Sequence, residues 1–311
     1  MTLVLTRSDL EAVLDVDDCL GALRAGFRAS AGAVVGQRVR TDLPFPGTAT
    51  ALIPGLLPGI EAYTVKVNAK FPGARPALRG VICLHAGADG ELLALLDSAT
   101  VTAWRTGLAA ALGTDLLAGP GDSVAVIGAG AQAELMLRGL RALGRPYPDL
   151  VVHDTDDDRA AAFAARHGGR TVGSAPEAAA TADTLLLATW SRQPLLRLAD
   201  TRAGQHVTSL GADEPGKQEL AADLLHSALL VVDDRELAAD MGALAAAGLP
   251  AAAADATLGE VLRGEHPGRM SEETRSVYAP VGLPWQDLAL AWVAYERAVR
   301  EGVGRRVDLL A

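Results

Sequence analysis

The chain has 311 residues, 50% of them apolar, and a formal net charge of −10 from 38 acidic and 28 basic side chains. That length predicts roughly two domains with sizeable cores, and the acid excess argues against nucleic acid or an anionic membrane as the main partner. Two cysteines, Cys19 and Cys83, lie in neither a CxxC nor a zinc spacing, the first residues lack a signal-peptide pattern, and no strongly apolar run reaches membrane-spanning length; a soluble protein of a reducing, cytoplasmic compartment without a metal is expected.

The first 35 residues read as helix, with Val16, Cys19, Leu20, Leu23 and Phe27 of Asp15–Ala33 at helical spacing. Gln37–Phe45, Thr48–Ile53, Glu61–Phe71 and Gly80–His85 are short strand-like segments separated by Pro and Gly. Ala88-Asp89-Gly90 is a hairpin signal, Glu91–Leu96 pairs back, and residues 37–97 are expected to form an antiparallel sheet. Ser98 reads as the N-cap of an Ala-rich helix to Leu117, and Gly119-Pro120-Gly121 as a boundary.

Beyond that boundary short apolar strands alternate with helices: Ser123–Ile127, a helix through Leu143, Leu150–His153, a helix over Arg159–His167, Thr184–Ala188, His206–Leu210 and Leu229–Val232. This alternation predicts an α/β fold with a doubly wound parallel sheet of Rossmann type. A last helix, Trp285–Glu301, carries Leu288, Trp292, Tyr295 and Val299 as an apolar stripe and is expected to return to the first domain. The expected division is 1–117 with 290–311 as an α+β domain, and 118–289 as the Rossmann-type domain.

Gly128-Ala129-Gly130-Ala131-Gln132-Ala133 follows a buried strand and opens a helix. Gly128 permits the tight turn, Gly130 lets the backbone approach a pyrophosphate, and Ala133 allows close helix–strand packing. Asp154, first after the next strand, is placed to accept hydrogen bonds from a ribose diol and to repel a 2′-phosphate, which favours NAD over NADP. Three basic residues stand out upstream: Arg40, Arg105 on the Ala-rich helix, and Lys66 between Val65 and Val67. A charge so flanked faces either solvent or a site, and period-2 alternation leaves both open. Leu210–Lys217 follows a strand of the parallel sheet, which puts Asp213 in a loop of the ligand-binding edge.

Trp104-Arg105-Thr106-Gly107, the Gly128–Gln132 loop, Gly211-Ala212-Asp213-Glu214-Pro215-Gly216-Lys217 and Val281-Gly282-Leu283-Pro284-Trp285-Gln286-Asp287 together resemble the ornithine cyclodeaminase/mu-crystallin family in order and spacing. Lys66-Val67-Asn68 with Phe71-Pro72-Gly73 is similar to that family's substrate strand. The resemblance implies a homodimer formed through the N-terminal sheet and a Rossmann domain carrying NAD(P). It implies chemistry at the Cα–N bond of an amino acid or its imine: dehydrogenation, imine reduction or cyclodeamination, or in some members ligand binding without turnover. Carried over, Arg40, Lys66 and Arg105 hold the substrate carboxylate, and Lys66 and Asp213 serve in proton transfer. Thr106, Gly128, Gly130, Ala131, Gln132, Asp154, Thr189, Leu210, Gly211, Ala212 and Lys217 contact the cofactor.

Planar Arg forks suit an α-carboxylate, and a lysine near two arginines is expected to have a depressed pKa. Two departures separate the chain from cyclizing members. Ala51 stands where those carry an acid, with Glu61 as the nearby substitute, and Pro280 stands where a small hydroxyl residue is usual. Only three of the 28 basic residues are lysines, Lys66, Lys70 and Lys217. Arginine cannot release its proton in a protein whereas lysine can, which singles out Lys66.

Overall fold

The computed structural model describes residues 1–31, 38–45, 48–71, 74 and 78–309. The chain divides into two compact units, Met1–Thr106 with Leu283–Ala311, and Gly107–Gly282. The break expected at 117/118 thus falls at 106/107, and the return expected at 290 begins at 283. Gly119-Pro120-Gly121 ends a helix that itself crosses the border, so the breaker marks the end of an element rather than of a unit.

The first unit is built on a seven-stranded sheet. Its strands are β1 (Thr2–Leu5), β2 (Val39–Asp42), β3 (Ala49–Gly55), β4 (Ala62–Lys70), β5 (Leu78–Ala86), β6 (Leu92–Asp97) and the C-terminal strand Arg305–Val307. The succession β2-β3-β4-β5-β6 is antiparallel throughout, as expected for residues 37–97. β1 lies parallel to β6, and its other edge takes Arg305–Val307 antiparallel.

The N-terminal 35 residues are therefore not all helix. They hold β1, α1 (Arg7–Val13) and α2 (Val16–Ala29), while residues 32–37 lie outside the described part. A four-residue apolar run becomes a strand only through partners distant in sequence, which local periodicity does not display. α2 starts one residue inside the expected span because Asp15 caps it, accepting from the amides of Asp17 and Asp18. Asp97 likewise takes the role expected of Ser98: its carboxylate accepts from Thr100 N at 2.8 Å, and Ser98 is the first residue of α3 (Ser98–Leu117).

The C-terminal helix Pro284–Glu301 packs on α2, β3, β4 and β5. Its buried stripe is Asp287, Ala291, Ala294 and Ala298, whereas Val299 of the expected stripe is 43% exposed. Alanines let the helix axis approach the sheet, and a carboxylate thereby enters the stripe. Trp285 lies edge-on to Phe27, ring centroids 4.9 Å apart, over Gly26, where any Cβ would overlap the indole.

The second unit holds an eight-stranded, wholly parallel sheet. Its strands are β7 (Ser123–Ile127), β8 (Asp149–His153), β9 (Arg170–Thr171), β10 (Thr184–Leu187), β12 (His206–Ser209), β14 (Leu229–Val232), β15 (Ala256–Thr257) and β16 (Ser276–Tyr278); β11 (Arg192–Leu196) and β13 (Gln218–Leu220) pair separately. The order is β15-β14-β16-β12-β10-β7-β8-β9. Side chains alternate between two cores. Val124 and Val126 join Met136 and Leu140 of α4 (Ala131–Ala142) and Phe163 of α5 (Asp157–His167) on one face. Ala125 and Ile127 join Leu185, Leu187 and Val207 on the other. The chain runs outward through β7, β8 and β9, then returns to β10 on the opposite side of β7, making a topological switch point between β7 and β10.

Candidate active site

In the first unit, β4 buries its polar face. Thr64, Lys66 and Asn68 are buried while Tyr63, Val65 and Val67 are only half-buried. Lys66 occupies a rung with Ile53, Ile82 and Leu96, beneath the C-terminal helix. Its Nζ donates to Asp287 Oδ2 at 2.5 Å, both side chains being no more than 3% exposed. Arg105 enters from α3: Nε is 3.5 Å from Asp287 Oδ1, and Nη1 donates to Gln286 Oε1 at 3.3 Å. Burial drives the Lys66 ammonium down to about 8, with Arg105 and Arg38 adding to the fall and Asp287 opposing it. Burial is thus the main cause, ahead of the neighbouring arginines expected from the sequence.

Several buried atoms of this cluster have no hydrogen-bond partner among the described residues: Thr64 Oγ1, Asn68 Oδ1, Arg105 Nε, Gln286 Nε2 and Asp287 Oδ1. Orphaned buried polar groups are rare in folded proteins and concentrate where a ligand or water completes them. Two cations against one carboxylate leave the cluster one positive charge in excess.

Arg40 is not in this cluster. It shares a rung with Ala51, Asn68 and Gly80, so it projects from the sheet face that carries Lys66. Its guanidinium is 64% exposed and pairs with Asp42 at 2.6 Å. Arg38, which went unremarked in the sequence, is the cation of that segment felt at Lys66. Gln286 and Asp287 were named only as the end of a motif and given no role. The available signal was Asp287 standing in register with an alanine stripe, a charge on a face that alanine otherwise fills.

In the second unit the Gly-rich loop closes the β7 end of the switch point. Gly128 has φ +94°, and a Cβ there would strike the Ala188 carbonyl after β10. Gly130 is the N-cap of α4, with no atom within 4 Å of where a Cβ would stand, so the helix N-terminus is open to an approaching phosphate. Ala131 is exposed and Gln132 Oε1 is buried without a partner. Asp154 directly follows β8 and accepts from Ala129 N at 2.8 Å, which ties the ribose end to the loop. Burial raises the Asp154 pKa, but Arg159 and the amides of Asp156 and Ala129 outweigh it and hold the group below the usual carboxylate range.

The loops after β10 and β12 are joined by Glu219, a residue the sequence did not single out. Its Oε1 accepts from Thr189 N and Thr189 Oγ1, its Oε2 from Ser209 Oγ and Gly211 N, all at 2.7 Å. Leu210 and Ala212 turn their side chains into the two cores, leaving only backbone for a ligand. Lys217 donates to Asp213 Oδ1 at 2.8 Å, pairs with Glu214 and lies 4.2 Å over the Trp190 ring. Thr106 is half-buried on α3 in the first unit.

The sequence matches the ornithine cyclodeaminase/mu-crystallin family over residues 1–302. The chain belongs to this family. It is 30% identical to alanine dehydrogenase of Archaeoglobus fulgidus, covering 98% of each chain. It is 31% identical to a Δ1-pyrroline-2-carboxylate reductase of Bacillus cereus, covering 87% of this chain and 88% of that one. Among solved structures, Δ1-pyrroline-2-carboxylate reductase of Thermococcus litoralis, in complex with NADH and L-proline, superposes with a TM-score of 0.91 at 28% identity, covering 98% of this chain and all (100%) of that one.

The structure places Ala51 on the rung between Arg40 and Asn68, and Glu61 on the surface before β4. Pro280 is buried at the end of the second unit, followed by Val281 and Gly282, whose amides both donate to the buried Asp233.

Proposed function

We propose that this member of the family is an NAD-dependent oxidoreductase acting on the Cα–N bond of an amino acid or its imine, as an amino-acid dehydrogenase or imine reductase. The observation that carries this reading is the buried Lys66–Asp287–Arg105 cluster, whose excess positive charge and unpaired donors suit one α-carboxylate. The open N-terminus of α4, the positive-φ turn at Gly128 and the carboxylate of Asp154 suit a dinucleotide with a free ribose diol.

Bound nicotinamide supplies the two-electron acceptor or donor. Lys66 and Arg105 hold the carboxylate, Arg105 through its planar fork and Lys66 as a point charge. Oxidation at Cα requires the unprotonated amine, and reduction requires a protonated imine. A group able to exchange protons near neutrality is needed in both directions. Lys66, with its pKa near 8, is placed for that exchange, and Asp213, held by Lys217, is assigned the acid/base role at the amine. Ala51 removes the acid of the cyclizing pattern, which favours a substrate without a second amine and disfavours ornithine or lysine cyclodeamination.

A homodimer completes the reading. Val39 and Leu52 of the outer sheet face are 53% and 45% exposed, and Val65, Val67, Val81 and Leu95 beside them are half-buried. A contiguous apolar face of this kind fits a second copy, and the archaeal alanine dehydrogenase with bound NAD is itself a dimer.

The test is to supply NAD with a panel of L-amino acids, then NADH with cyclic and acyclic α-imino acids, and follow the NADH absorbance. Turnover with at least one neutral amino acid or its imine is expected. Tight NADH binding with no turnover across both panels would instead identify a ligand-binding member of the family.

A further inference from the structure

Asp287 is a charged member of the buried cluster that the proposed reaction does not itself use. It cannot hold a carboxylate, and burying an unneeded charge is costly. Yet it lies within 2.5 Å of Lys66 although 221 residues separate the two in sequence.

We propose that Asp287 is a positioning residue that keeps Lys66 cationic and aimed at the substrate carboxylate, and so sets the upper pH limit of amino-acid binding. This rests on the reading of Lys66 as a carboxylate ligand. Asp287 lies in the first turn of the C-terminal helix, where the helix dipole favours a negative charge. Its Oδ2 takes the Lys66 proton donor, while Oδ1 has no hydrogen-bond donor and faces Arg105 Nε at 3.5 Å.

The charged groups around Lys66 are few. Asp287 comes from the helix, Arg105 from α3 and Arg38 from the segment leading into β2, while its rung partners on β3 and β5 are Ile53 and Ile82. Both arginines favour loss of the lysine proton, and so does burial. Among these described groups, Asp287 alone opposes them, and the outcome is an ammonium that titrates at about 8. Without that carboxylate, Lys66 would become a neutral amine within the working pH range. It would lose both its charge and one of its proton donors toward the substrate.

The experiment measures KM and kcat for the best amino acid from pH 6 to 9.5 in wild type, Asp287→Asn, Asp287→Glu and Lys66→Met. Reading the variant-to-wild-type KM ratio at each pH cancels titration of the substrate. For Asp287→Asn the ratio should be about one to two at pH 6 and roughly five- to fiftyfold at pH 8, as the Lys66 midpoint moves down by about one to two units. Asp287→Glu, which keeps the charge, should leave the midpoint near that of wild type. A ratio constant across pH would show a merely structural role and overturn the proposal.

A second measurement reads the Lys66 midpoint in the wild-type chain directly. With only three lysines in the chain, selective 13Cε-lysine labelling gives a spectrum in which Lys66→Met assigns the Lys66 signal. A wild-type midpoint well below that of an ordinary lysine, falling further in Asp287→Asn, is expected. A wild-type midpoint at the ordinary lysine value would overturn the proposal. If Lys66→Met leaves KM unchanged, the carboxylate reading itself falls. If Lys66→Met raises KM while the Asp287→Asn ratio stays flat, only the role of Asp287 falls.

Discussion

Arg159 grips both carboxylate oxygens of Asp154, Nε to Oδ2 at 3.0 Å and Nη2 to Oδ1 at 2.8 Å. With the amides of Ala129 and Asp156 and the more distant Thr155 hydroxyl (3.4 Å) added, five donors crowd the roughly four lone-pair sites a carboxylate offers. A ribose diol must therefore displace part of the guanidinium, which is 49% exposed and free to move. Asp154→Ala is expected to weaken NADH binding about tenfold or more and to improve NADPH, because the released Arg159 can pair with a 2′-phosphate. Arg159→Ala in that background should abolish the NADPH gain. Fluorescence titration of both nucleotides against the single and double variants checks this, and wild type preferring NADPH would contradict it.

Glu219 accepts four donors from two loops, and a carboxamide offers only one accepting oxygen. Glu219→Gln should leave at least one buried donor unpaired, at about 1–3 kcal/mol each. The expected result is a lower Tm together with a KM for NADH raised more than that for the amino acid. Equal effects on the two KM values would argue that the loops at Thr189 and Gly211 do not serve the dinucleotide.

Lys66→Met and Arg105→Gln should each raise the amino-acid KM by about a hundredfold, in line with about 2–3 kcal/mol for a charge-assisted pair, and Lys66→Met should lower kcat as well because it also removes a proton-exchanging group, while NADH affinity measured separately stays close to wild type. Asp213→Asn should instead lower kcat with a smaller change in KM, since it removes proton exchange rather than carboxylate binding. Steady-state kinetics of the three variants separates the two roles. A Lys66→Met enzyme with a near-normal KM would remove Lys66 from the substrate site.

His206 is fully buried, bonded to Ser276 and Thr208, and burial with Arg269 and Arg145 lowers it to about 3. In the unfolded chain it takes a proton near pH 6.5. Between those values the unfolded state binds the extra proton, so stability falls as pH drops, by up to about 1.4 kcal/mol per pH unit. Glu260, held down to about 2 chiefly by its bond to Arg235, loses its contribution only below its unfolded value of about 4.5. Thermal melts between pH 7 and 5 should therefore show a slope that His206→Gln flattens, and an unchanged slope would assign the acid sensitivity elsewhere.

The elements legible in the sequence are those whose signal is local. Ser123–Ile127 and Leu229–Val232 match the expected spans because strands buried on both faces are continuous apolar runs bounded by turns. β16 was not foreseen although it lies mid-sheet between β12 and β14: its three residues follow a charged stretch, and its strand state comes from its neighbours. The site divides the same way. The flanking valines made Lys66 conspicuous, and the strand–loop–helix context made Gly128 and Gly130 so. Asp287, Gln286 and Glu219 were not, because each acts on residues that only the fold brings near. Arg40 was singled out as a conspicuous cation and given its carboxylate role by resemblance; its side chain pairs with Asp42.

The first unit is assembled from the two ends of the chain, with the whole of Gly107–Gly282 lying between them in sequence. During synthesis, the strand bearing Lys66 emerges early and waits while an entire Rossmann layer is made. Until Pro284–Glu301 arrives, the inner sheet face is uncovered and the lysine has no counter-charge to settle against. The carboxylate cluster is thus a late product of folding, closed by one of the last helices to appear, and a nascent chain stalled before Asp287 would already carry its dinucleotide loop but not a finished substrate cluster.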